Sequence, residues 1–279
     1  MKKTAIVTGV ARGLGRSIAI SLAKEGFNIV GIDLAEQVSP LAQYSPSTSV
    51  DVLQTRQCIE NTGARFNYFT ADTKHLTSLM HIAKELSEDK DVAVQVICAN
   101  AGIQLFDLLL ESSTKLWEDT LNNNILGTFH TLKAFVPLLI SNGKGKVIIT
   151  SSTQGRRGMW CGSAYSASKW ALIGMAKSAA LELGKYAINV NVLVPGLIDT
   201  PMTRNQKRWQ VAMGDGYQHK QIAEEQVVKK LSDMDPLGKP WLTPDEISPT
   251  VAYLASDAAD HITGAVFDTA NGTSSIYTA

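Results

Sequence analysis

Residues 4–26 read "TAIVTGVARGLGRSIAISLAKEG". A β-branched apolar run stops at a glycine-punctuated turn, and a helical pattern follows at once. The run predicts a strand buried on both faces, and "RSIAISLAKEG" predicts the helix that covers it. Glycines at 9, 13 and 15 permit a tight turn and a close approach of backbone to a diphosphate at the helix N-terminus. Their spacing, Gly-x-x-x-Gly-x-Gly, differs from the commoner Gly-x-Gly-x-x-Gly fingerprint. A glycine cluster alone is also an ordinary strand-to-helix turn. Its place on the first such turn favours a dinucleotide, touched by Gly9, Arg12, Gly13, Leu14 and Gly15.

Further strands are expected at "NIVGID" (28–33), "RFNYFTA" (65–71), "VAVQVICA" (92–99), "KVIITSS" (146–152), "INVNVLVP" (188–195) and "AVFDTA" (265–270). Helical patterns alternate with them, which predicts an α/β, doubly wound and mostly parallel seven-stranded sheet. No linker or repeat divides the chain, so residues 1–279 are expected to form one domain. Two segments break the alternation. "VSPLAQYSPSTSV" (38–50) reads as a polar surface loop. Residues 201–235 exceed a common strand-to-helix connection and follow the sixth strand's end, where open α/β sheets bind ligands. A partly helical lid over a substrate is expected there, with Gly214 and Gly216 as hinge points.

Composition excludes several classes. Hydrophobic residues make up 44% and charged residues 19%, as in ordinary soluble proteins. The 26 basic and 26 acidic residues cancel, so no global field favours nucleic acid or an anionic membrane. Cys58, Cys98 and Cys161 are scattered without metal-ligand spacing, as are the five histidines; no metal site is expected. The opening apolar run is too short for a signal peptide, and no run is long enough to span a bilayer. The expected location is the cytoplasm.

Several strand ends converge on the same ligand. Asp33 closes the second strand, 24 residues after Gly9, where a carboxylate accepts from ribose hydroxyls and repels a 2′-phosphate. Arg12 is the opposing clue, since a cation in the glycine turn can pair with that phosphate. One aimed carboxylate outweighs one flexible arginine, so NAD is favoured over NADP. "ADT" adds Asp72 and Thr73, "ANAG" adds Asn100, Ala101 and Gly102, and "VPGLIDTPM" adds Pro195, Gly196, Ile198 and Thr200. Each also reads as turn chemistry; together they mark one end of one sheet.

"SAYSASKW" (163–170) sets Tyr165 four residues before Lys169, neighbours on one helix face. "ITSSTQG" (149–155) ends the fifth strand with Ser152 thirteen residues before Tyr165. With "TGVARGLG", "NAG", "NILG" (124–127) and "PG", this ordered set resembles the short-chain dehydrogenase/reductase family along nearly the whole chain. The resemblance implies a Rossmann-type fold, a nicotinamide cofactor and a catalytic tetrad of Asn124, Ser152, Tyr165 and Lys169; the family's Asn-x-x-Gly spacing selects Asn124 from "NNN" (122–124). A free phenol titrates near ~10, too high for a base at neutral pH. The Lys169 ammonium and the nicotinamide charge would favour phenolate. Tyr165 then takes the proton of an alcohol as hydride leaves, or returns it to a carbonyl. Ser152 would hold the substrate oxygen. Lys169 would also grip the nicotinamide ribose, and Asn124 would support a water-mediated proton path.

Within the family, Asp33, the loop at 38–50 and the long segment after Thr200 resemble carveol-dehydrogenase-type (mycofactocin-associated) members. "VPGLIDTPM" keeps Pro-Gly where that group commonly has Pro-Thr, and Ala270 stands where the family usually has Asp. The expected reaction interconverts a secondary alcohol and a ketone; the alternative is a non-catalytic dinucleotide sensor or scaffold, which needs no phenol–lysine couple. Trp160 and Trp209 are expected pocket walls, with Trp160 equally suited to the core, and the expected substrate is bulky and largely hydrophobic. The family implies a homotetramer or homodimer, for which Ala176, Ala179 and Ala180 suit close helix packing.

Overall fold

The protein is described by a computed structural model over residues 2–276. In chain order the elements are β1 (Lys2–Thr8), α1 (Gly13–Lys24), β2 (Asn28–Asp33), α2 (Ser49–Glu60), β3 (Phe66–Thr70), α3 (Leu76–Glu88) and β4 (Val92–Ala99). Then come α4 (Thr114–Leu121), a π-helical turn (Asn122–Leu126), α5 (Gly127–Ser141), β5 (Gly145–Thr150), α6 (Ser163–Leu183) and β6 (Ile188–Pro195). The last are α7 (Gln206–Met213), α8 (Glu224–Met234), α9 (Pro244–Ala255) and β7 (Val266–Thr269).

The seven strands form one sheet in the order β3-β2-β1-β4-β5-β6-β7. Every pairing is parallel, where a mostly parallel sheet was expected. Period two governs β1: Ala5 and Val7 face one layer, while Ile6 faces the other. The first layer packs Ile18 and Leu22 of α1 with Ile247 and Val251 of α9. The second packs Phe135 and Leu139 of α5 with Leu172 and Ala176 of α6. Each large apolar side chain so buried contributes about 1.5–3 kcal/mol, which is why near-continuous apolar strands need cover on both sides. Chain order reverses between β1 and β4, opening a crevice at the strands' carboxyl ends.

The two irregular segments differ in outcome. The 38–50 stretch is a surface loop only in part: residues 49 and 50 open α2, and the rest, though partly exposed, is anchored to the body. Val38 and Ala42 pack on Ile103, Leu105 and Leu116, and the buried Ser39 donates to Asp119 Oδ2 at 2.6 Å. Residues 201–235 hold α7 and α8 as expected of a partly helical segment. Ile222, Val227 and Trp241 form its small core with Trp209, Met213 and Leu231. Gln206 ties the two halves, donating to Ile222 O (3.0 Å) and accepting from Ile222 N (2.9 Å). No helix among the described residues is long and apolar enough to cross a membrane.

Candidate active site

A long cleft runs along the carboxyl ends of the strands, walled by the glycine turn, the 38–48 loop, the β4 and β6 loops, α6 and the 201–235 segment. All of the expected cofactor contacts line it, from Gly9 to Thr200. Gly9 has φ +70°, and a Cβ there would meet Ala101 Cα at 3.0 Å. At Gly15 a Cβ would fall 2.0 Å from Gly9 O, so only glycine lets α1 start this close to β1. No side chain caps α1 and no acid occupies its first turn, leaving its backbone N–H groups to an anion in the cleft.

Asp33 is held in place by its neighbours. Oδ2 accepts from Ala11 N at 2.9 Å, and Oδ1 accepts from Ala35 N and Ser47 Oγ at 3.0 Å. The Arg12 guanidinium instead donates to Ser45 O and, at 3.5 Å, to Ser45 Oγ. The opposing clue is thereby tied into the 38–48 loop. Asp72 bonds Lys74 N at 2.9 Å and pairs with Lys74 Nζ at 3.3 Å, so its carboxylate already has a cation beside it. Thr8 Oγ1 accepts from Asn100 N and Ala101 N at 3.0 Å, fixing the β4 loop against β1.

The chemistry-bearing side chains meet where β5 passes into α6. Tyr165 and Lys169 share the buried face of α6, with Lys169 Nζ 5.7 Å from the phenol ring centroid and donating to Thr150 O at 3.0 Å. Ser152 Oγ accepts from Gln154 N at 3.2 Å and hydrogen-bonds the Tyr165 phenol. Burial raises the Tyr165 pKa; the Ser152 hydroxyl, the Arg208 charge and Gln104 pull it back. Burial also brings Lys169 down to about 8. In the cofactor-free protein, burial outweighs the groups that favour phenolate. Neither ion is well solvated here, and the cation acting on the phenol is Arg208.

Asn124 is fully buried in the π-helical turn and lies outside the cleft lining, which takes Asn123 instead. Its Oδ1 accepts from Ile103 N at 2.8 Å, and its Nδ2 donates to Ile103 O and Ser168 Oγ, each at 3.0 Å. The side chain clamps the β4 loop to α6. Trp209 is also outside the lining, because α7 turns it into the apolar cluster with Trp241 and sends Arg208 to the cleft. The half-buried Trp160 is outside too, in the turn closed by Asp107 N donating to Cys161 O at 2.9 Å. Ala270 is buried against Gly196, whose added Cβ would meet Ala270 Cα at 3.1 Å.

Sequence reading missed Gln104, Tyr44, Arg157 and Arg208, all of which line the cleft. Tyr44 accepts from Gln104 N at 3.3 Å, and burial pushes its phenol up to about 12. Nothing in "KRWQ" or "QLF" marks these residues as inward-facing. Among the described residues, no three His, Cys, Asp or Glu side chains group as a metal-ligand set.

Comparison with known proteins agrees with this architecture. Residues 3–211 match the family model for short chain dehydrogenase. An uncharacterized NAD-dependent oxidoreductase of Mycobacterium tuberculosis is 33% identical over 94% of this chain and 92% of its own. The (-)-trans-carveol dehydrogenase of Rhodococcus erythropolis is 30% identical over 97% of both chains. The crystal structure of a carveol dehydrogenase from Mycobacterium avium in complex with NAD superposes with a TM-score of 0.91, at 30% identity over 97% of each chain. The chain belongs to the short-chain dehydrogenase family of oxidoreductases. Within that family it is similar to the carveol-dehydrogenase type.

Proposed function

We propose that the protein is an NAD-dependent dehydrogenase that interconverts a secondary alcohol and a ketone, with Tyr165 as the proton carrier. The reading rests chiefly on the convergence of Tyr165, Ser152 and Lys169 at one end of a cleft whose other end carries Asp33 and the uncapped α1. NAD suits that cleft: α1 would hold the diphosphate, Asp33 the adenosine ribose hydroxyls, and the 194–202 stretch the carboxamide end. Bound NAD⁺ supplies the hydride acceptor for oxidation, and NADH the donor for reduction.

In oxidation the Tyr165 oxygen removes the hydroxyl proton while the C–H bonding pair leaves the same carbinol carbon. In reduction the phenol returns that proton to the carbonyl oxygen. Ser152 hydrogen-bonds the reacting oxygen and holds the phenol, lowering its pKa against the burial term. Lys169, buried below, would hold the nicotinamide ribose and pass the proton onward. Asn124 acts through position, keeping the β4 loop and α6 in register. The 201–235 segment closes the substrate end and excludes water.

A panel of secondary alcohols with NAD⁺, followed by NADH absorbance, tests the reaction. Tyr165→Phe should lower turnover by ~10³-fold or more while NAD binding changes only a few-fold, since general acid–base groups supply ~10²–10⁴ and the phenol has no substitute. Substantial turnover by that variant would remove Tyr165 from the role.

A further inference from the structure

Arg208 is a buried cation with no anion. It is 8% exposed and lines the cleft, its Nε is buried without a hydrogen-bond partner, and no carboxylate among the described residues forms an ion pair with its guanidinium. Its neighbours are the Phe106 ring, 5.8 Å from the guanidinium carbon, and the charges of Tyr165 and Arg157. Phe106 in turn stands 6.5 Å from the Tyr165 ring, centroid to centroid. Guanidinium does not shed its proton to escape burial. Here the pKa falls only to about 10, from burial, so the side chain stays charged at neutral pH.

Other arginines of this fold show what a structural guanidinium does. Arg16 donates to Ala11 O, Thr55 Oγ1 and Asp51. Arg204 pairs with Asp199 at 2.7 Å and Glu224 at 2.5 Å, and Arg156 with Asp268 at 3.2 Å. Arg208 lacks every such partner although α7 is pinned by the Asn205 cap and the Gln206–Ile222 pair. Of the acids lining the cleft none pairs with Arg208: Asp33 and Asp72 are engaged at the β2–β3 end, Glu36 follows β2, and Asp235 accepts from Leu237 N and Lys239 N. An unpaired buried charge is strongly unfavourable, and planar guanidinium matches a carboxylate in a paired, two-bond geometry.

We infer that the substrate is a monocarboxylate, a hydroxy acid or its oxo acid, whose carboxylate pairs with Arg208 while its carbinol or carbonyl oxygen meets Tyr165 and Ser152. This rests on the alcohol–ketone reading and adds the substrate's charge to it. The cleft lining also includes the apolar side chains of Val38, Ala42, Met202, Leu231 and Met234, which suit a carbon frame carrying one charge. The largely hydrophobic substrate expected from the sequence becomes an amphiphilic one.

The test uses the NAD-loaded enzyme and a matched pair, 4-oxocyclohexanecarboxylate and its carboxamide, with NADH. Wild type should prefer the acid by ~10²-fold in kcat/KM, in line with a buried charge pair. Arg208→Met should collapse that preference to about onefold, and Arg208→Lys should restore part of it. A parallel fall on both ketones would make Arg208 only a modulator of the Tyr165 pKa and overturn the inference, as would a wild type without preference. Calorimetric binding of unreactive cyclohexanecarboxylate to the NAD complex separates the two readings. Binding lost in Arg208→Met without turnover of either ketone would sink the redox reading and keep the anion site. Turnover of the carboxamide with no carboxylate binding would do the reverse. If Arg208→Met does not fold, the wild-type preference and the Arg208→Lys variant decide.

Discussion

Lys169 is an amine held in the interior by one carbonyl, and its pKa of about 8 against 10.5 measures the strain of keeping it charged. Between those two values the unfolded chain binds more protons than the folded one. The Lys169 contribution to the stability of the cofactor-free protein therefore rises with pH from about 8 towards 10.5 and is lowest, and flat, below 8. Lys169→Met should thus stabilise that form by about 1–2 kcal/mol at pH 7, the relieved desolvation less the lost hydrogen bond, while turnover collapses. Denaturant titration of both proteins measures it; a destabilised variant would mean the Thr150 bond outweighs the burial. Asp33 carries the second prediction. Its fixed carboxylate should make kcat/KM for NAD exceed that for NADP by ~10²-fold or more, because a phosphate buried beside it is repelled. Asp33→Ala should narrow the ratio at least tenfold; equal efficiency in the wild type would mean that Arg12 leaves Ser45 for the 2′-phosphate.

Helix α7 shows how one element divides its work between neighbours. Trp209 points into the cluster of Ile222, Val227 and Trp241, and Arg208 into the cleft. The Trp209 indole contributes apolar contact there, so its removal is a packing lesion rather than a lost pocket wall. Trp209→Ala should destabilise by about 2–3 kcal/mol, the range for a large half-buried side chain. Differential scanning calorimetry should show the change, with NAD affinity within a few-fold of wild type. An unchanged melting temperature would mean that the 201–235 segment is not folded onto the body of the protein. The 38–48 loop behaves likewise: Ser39, Val38 and Arg12 fasten it over the cleft, so its polar composition describes only its outer side.

As a whole, the molecule leaves large apolar side chains exposed: Leu126 in the π-helical turn, Phe129 in α5, and Trp170 and Leu181 on α6, the last 87% exposed. Exposed apolar surface favours association where such side chains gather. A homodimer or homotetramer is expected by light scattering at micromolar concentration, and Trp170→Lys with Phe129→Lys should shift it towards monomer. A monomeric wild type would refute this. Ala176 and Ala180 do not serve such an interface, because both are buried against the sheet; the small residues bring α6 close to its own strands.

The linear pattern carried the sheet, the glycine turn and Asp33, since each depends on neighbours within a few residues of chain, while Ser152, Tyr165 and Lys169 drew their expected roles from the ordered set of motifs that resembles the family. A strand's apolar run, a turn's glycine and a Tyr-x-x-x-Lys face are local properties, legible without knowing what packs on them. Asn124 needed the family's spacing to be singled out, and its clamp on Ile103 and Ser168 appears only after folding. Arg208 was illegible: in "QKRWQV" it reads as a solvated charge beside a tryptophan suited to a pocket. Which of the two enters the cleft depends on how α7 rolls against α8 and Trp241, a rotation set by the Gln206–Ile222 hydrogen bonds and the apolar cluster. Those contacts join residues brought together by the fold, so burial of the cation, and with it the charge required of the substrate, was a matter of tertiary packing.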